Sequence, residues 1–145
     1  MGPFMTVPGA SPSARNRAAA TLPKNRYVAL TAPTEPGEIA VTSLTAAVLN
    51  QGRGFIQEDC GVGRSVALHT AGIVEAESDG TATITAGRRV IAVPNATLAD
   101  AGRVAEVPAA AGTYLVVGHA LDSVGAVANA KLRVCACSPY PVTVA

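Results

Sequence analysis

The chain has no tryptophan, two phenylalanines and three tyrosines in 145 residues. A glycan-binding surface normally stacks sugars on aromatic rings, so this chain is poorly supplied for that chemistry. Charged residues make up 14% of the chain and leave a net charge of +1, which argues against bulk nucleic-acid binding. Three cysteines are an odd count, against a secreted disulfide framework, and suit a reducing compartment. No apolar run approaches the roughly 18 residues that a membrane-crossing helix needs. The first residues lack the continuous apolar stretch of a signal peptide. Soluble synthesis, with no membrane and no direct nucleic-acid partner, is the expectation.

Chemistry-bearing residues are also scarce. The two histidines, His69 and His119, each end an apolar stretch, and no Gly-x-Ser-x-Gly elbow accompanies them. Cys135 and Cys137 lie two apart, on one face of a strand, whereas zinc ligands favour C-x₂₋₄-C spacing on turns. The acidic pairs Glu35/Glu38, Glu58/Asp59 and Glu75/Glu77 read as solvated turn and strand-face residues. Gly52-Arg53-Gly54 and Gly61-Val62-Gly63 begin like a phosphate loop, but Gln57 and Val66 occupy the third glycine positions. These patterns predict no catalytic residue, no metal site and no cofactor: not an enzyme.

What is abundant is small and apolar. Ala and Val dominate a hydrophobic fraction of 49%, with 14 Gly and 10 Pro spread along the chain. Each small side chain buries little area, at about 25 cal/mol per Å². Such a core is thin, and association with further copies or a partner would add burial. Frequent Val, Thr and Ile between Gly and Pro predict an all-β fold, a compact β-barrel or sandwich-like body of short strands.

Strands are expected at 27–31, 55–57, 65–69, 72–77, 81–85, 88–93, 103–107, 113–121 and 130–137, with 113–121 central. Asp79-Gly80 reads as a hairpin turn, and 43–49 as a short helix. No acid precedes Glu35, so residues 1–26 carry +4 from Arg15, Arg17, Lys24 and Arg26, while the remaining seven basic and ten acidic residues net −3. With Pro3, Pro8, Pro12 and Pro23, this segment reads as an extended basic arm. The expected organisation is arm 1–26, β body 27–137, and a short extended tail 138–145 in which Pro139 and Pro141 disfavour a central strand.

Gly54-Phe55-Ile56-Gln57-Glu58-Asp59, then Gly63-Arg64-Ser65-Val66-Ala67-Leu68, then Gly72-Ile73-Val74-Glu75-Ala76, resemble in order the strands of capsid cement (head decoration) proteins of tailed phages. Thr85-Ala86-Gly87-Arg88-Arg89-Val90, Val116-Val117-Gly118-His119-Ala120-Leu121 and Lys131–Val134 continue the resemblance, which covers roughly residues 54–136. Arg88 stands where that family often carries an acid. The resemblance implies a structural protein on the outer surface of the virion. It would bind the major capsid protein as a homotrimer at three-fold and quasi-three-fold positions and stabilise the shell. Another virion β-module, a tail or fibre base or a host glycan-binding head protein, is the alternative. On this reading the residues expected at the partner or trimer interface are Phe4, Arg15, Arg17, Lys24, Arg26, Pro139 and Tyr140. Deleting residues 1–26 is then expected to leave the body folded and to weaken attachment.

Overall fold

The computed structural model describes residues 12–145. They form two five-stranded sheets and one 3-10 turn, an all-β body. In chain order the strands are β1 (Ser13–Asn16), β2 (Arg26–Thr31), β3 (Ala40–Ser43), β4 (Gly52–Ile56), β5 (Ser65–Ala67), β6 (Gly72–Glu77), β7 (Arg89–Val93), β8 (Arg103–Glu106), β9 (Gly112–Ala120) and β10 (Lys131–Val144). The helix expected at 43–49 is a 3-10 turn at Ala46–Gln51.

The first sheet runs β4-β2-β3-β1-β5 and curls until its ends meet, because Phe55 of β4 and His69, just beyond β5, exchange backbone hydrogen bonds of 2.9 and 2.8 Å. Its interior holds Ala14, Leu22, Val28, Val41, Ile56 and Leu68 with neighbouring small residues. The second sheet runs β6-β10-β9-β7-β8, with β9 at its centre as expected. It bends back on itself where Asp79 N–H reaches Val104 O at 3.0 Å. Closure of this kind removes open strand edges. The remaining edge of β6 is covered by a side chain: the Gln57 amide accepts from Glu75 N–H at 2.7 Å and donates to Glu75 O at 2.9 Å.

The larger core lies between the sheets. Tyr27, Ala29 and Phe55 meet Val74, Val90, Val104, Val117, Leu132 and Val134 there. Alternation along β2 sends Tyr27 and Ala29 into this core and Val28 into the first barrel, so one strand serves both. Tyr27 and Phe55 supply the rings, packed edge to face at 4.9 Å. Gly102 takes a φ of +83°, and a Cβ there would lie 2.1 Å from Tyr27 O, so only glycine lets this loop close on β2.

Three expectations are corrected. Residues 12–26 are not a free arm: β1 is inserted between β3, in parallel, and β5, antiparallel. Ala14, Ala18 and Leu22 are buried, and the buried Asn16 side chain donates to Cys60 O and Ala20 O and accepts from Ala18 N–H. Pro12 and Pro23, which suggested an open segment, lie on either side of this short strand. Nor is 138–145 a separate tail: β10 continues to Val144 beside β9, with Pro139 and Pro141 in the stretch that has no second neighbour. Asp79-Gly80 makes a turn but no hairpin, since β6 pairs with β10 and residues 81–85 make a single bridge, Ile84 to Val124.

Because β1 is a stave of the barrel, deleting residues 1–26 is now expected to abolish the cooperative thermal transition and the near-ultraviolet signal. Leu22→Ala should cost about 2–5 kcal/mol in denaturant titration. The Tyr27 hydroxyl is buried with no hydrogen-bond partner. Tyr27→Phe should therefore leave stability unchanged or raise it by about 1 kcal/mol; a loss above that would show that the hydroxyl is satisfied in solution.

Candidate contact surface

The residues expected at an interface do not converge. Phe4 lies outside the described residues. Arg15 on β1 and Arg17 just beyond it stand beside the β2–β3 loop and pair with its acids: Arg17 hydrogen-bonds both oxygens of Glu38, and Arg15 lies 3.6 Å from Glu38 and 3.9 Å from Glu35. Two of the segment's four cations are thus paired with the first acids that follow it. Arg26 is 6% exposed; it bonds Glu77 at 2.9 Å and Ala99 O at 3.0 Å, so it is an internal tie and cannot meet a partner. Lys24 is exposed, with its backbone N–H on Asp59. Pro139 and Tyr140 lie far along β10, where a different feature begins.

That feature arises from β9. Gly118 pairs with Ala136 and Val90, and Val116 pairs with Tyr140 and Ile91. Val117 is therefore passed over on both sides, and Cys137, Ser138 and Pro139 stand opposite it. Bulges of this type bend the sheet. Beyond the bend, Gly112–Leu115 and Pro141–Val144 continue as a two-stranded ribbon.

The bend also turns apolar residues outward. Val116 and Ile91, with Ala105, form a cluster on the face opposite the main core, joined by Val93, Val107, Tyr114 and Val142. Between this cluster and residues 81–85 lies a groove of about 730 Å³, lined chiefly by Ile91, Val93, Ala105, Val107, Tyr114 and Leu115. The Tyr114 hydroxyl donates to Ala110 O at 2.9 Å and fixes the ring at the groove's side. Thr81, Thr83 and Thr85 form the opposite wall, and the charged lining residues are Asp79 and Glu106, both acidic. A second hollow of about 390 Å³ continues it past Leu115 towards Ala46, Ala47 and Pro141. Tyr140, in register with Val116, is 38% exposed at this face and is the one sequence-predicted interface residue that borders the cluster.

Val90-Ile91-Ala92-Val93 carried the signal for this surface. An uninterrupted apolar run marks a strand covered on both faces, whereas a solvated face would show alternation.

The remaining polar groups are disposed for structure. Burial pushes the Cys60 and Cys137 thiols up, with Cys135 adding to the effect at Cys137, so both are protonated at neutral pH and poor nucleophiles. Cys135 is exposed on the outer face of β10, in register with His119 and with the 67% exposed Ile73. No group of three His, Cys, Asp or Glu side chains among the described residues could hold a metal ion, and none of their helices is long and apolar enough to cross a membrane. The chain matches no family model and no curated protein.

Two ion pairs make an acid-sensitive signature. Hydrogen bonds from Arg17 hold the Glu38 carboxyl down to about 2, and those from the Arg133 side chain and backbone hold Asp122 at about 2. A carboxylate with a lowered folded-state pKa contributes its full stability above its unfolded value and loses it as pH falls through the folded one. Thermal midpoints should drop between about pH 4.5 and 2, and Glu38→Gln or Asp122→Asn should flatten that drop. Variants that track the wild-type slope would show that neither pair contributes.

Proposed function

We propose that this chain is a structural virion protein, a capsid cement protein that binds the outer surface of an assembled phage shell at three-fold and quasi-three-fold positions and stabilises it. The observation that carries this reading is the acid-rimmed apolar groove beside the β9–β10 ribbon, set on a body whose two sheets are closed by backbone bridges. An apolar concavity on a closed body suits attachment to a partner surface. The ordered resemblance suggests the partner: its segments fall on β4, β5, β6, the entry to β7, β9 and β10, and so span both sheets.

The physics of cementing suits a thin Ala/Val core. Each groove contact is modest, since burial yields about 25 cal/mol per Å² and association has its own entropy cost. Three copies held around one axis act together through effective concentration. A protein that binds only the assembled shell stabilises it by mass action, in opposition to the pressure of packaged DNA.

The test is to mix the purified chain with expanded, empty shells of the cognate major capsid protein, sediment them, and count bound copies. Saturation at the number of three-fold and quasi-three-fold positions, with a raised shell disruption temperature, is expected. Well-formed shells that bind none would remove the reading.

A further inference from the structure

The groove's walls specify more than a general apolar contact. Residues of β7 and β8 line it on one side, and the Thr81–Thr85 segment and the β9–β10 ribbon line the others. Ile91 and Val93 of β7, Ala105 of β8 and Val107 just beyond it line the groove at every second position, with Ile91 and Ala105 buried and the two valines half-buried, a spacing that matches the alternate side chains of an extended segment.

Charge then narrows the occupant. Among the described residues, the charged groups lining the groove are Asp79 and Glu106. Asp79 accepts from Thr81 N–H and the Thr81 hydroxyl, which fixes its carboxylate beside the wall. Glu106 accepts from Thr85 N–H at 3.0 Å and has a loose, largely solvated contact with Arg88 at 3.9 Å. Both carboxylates are held by backbone donors, and neither faces a lining cation that would neutralise it. An acidic peptide would be repelled by both.

We infer that the groove is a docking site for an extended apolar peptide segment bearing a cationic residue, Lys or Arg, placed between Asp79 and Glu106. This rests on the attachment reading only in the choice of surface. The segment's source there would be the shell subunit, and the binding chemistry stands without it.

The probes are synthetic octapeptides that alternate Val and Ser and carry a central Arg, Ser or Glu. Fluorescence anisotropy against the full chain should rank them Arg tightest and Glu weakest, with at least tenfold between the two at low salt. Glu106→Gln should reduce the Arg-over-Ser preference several-fold. Thr83→Arg sets a fixed cation on the exposed wall and should weaken the Arg peptide at least tenfold with an unchanged melting curve. Equal binding of the three peptides, or binding of none, overturns the inference. A concentration-dependent dimer abolished by Thr83→Arg also overturns it, because the occupant would then be a second copy. Shells separate the two proposals: equal shell binding by the wild type and Thr83→Arg defeats the groove and leaves the cement role standing. Peptide binding without shell binding does the reverse.

Discussion

The structure depends on one strand being buried on both faces. β2 sends Tyr27 and Ala29 into the core between the sheets and Val28 into the first barrel, and its backbone is covered by Gly102 of a distant loop. A chain with so few large side chains cannot build one thick core. It builds two thin ones that share a wall, and Tyr27 with Phe55 supplies most of the bulk where they adjoin. The rest follows from that sharing. The first sheet must curl to enclose the far side of β2, and β1 and β5 are the staves that complete the curl.

Burying both faces of β2 leaves few edges free, and the sequence closes those with unusual economy. A single amide at Gln57 occupies the edge of β6, and backbone bridges at His69 and Ser78 join the ends of the two sheets. Where β10 outruns its second neighbour, Pro139 and Pro141 occupy the stretch. The groove is the exception. The strands bulge at Val117, and beside the small cluster on the outward face of β7 and β8 a groove stays open. A carboxylate at each of two positions on an otherwise apolar lining gives that cover a sign.

Much of the β body was legible because its strands announce themselves locally. Phe55-Ile56, Ser65–Ala67, Gly72–Glu77 and the long run before His119 carry β-branched residues bounded by glycine, and their turn chemistry agrees. The role of residues 13–26 was not legible, because their partners are remote in sequence. Arg15 and Arg17 look like free charge until Glu35 and Glu38 are folded against them, and Ala14 and Leu22 look incidental until the barrel closes around them. Arg26 shows the same limit more sharply, since its partner Glu77 lies on the other sheet. The groove was only half legible. The run at Val90–Val93 implied a covered outer face, but the bulge that shapes that face is a property of register, which sequence pattern does not carry.

The most direct measurement of the account is hydrogen–deuterium exchange of the chain alone and saturated on expanded, empty shells of the cognate major capsid protein. The account predicts added protection in residues 81–85, 105–109 and 113–116, around the groove, with the buried amides of β2 unchanged. Protection confined to the β1 and β2–β3 loop face around Arg15, Arg17 and Glu38, or no protection at all, would contradict it.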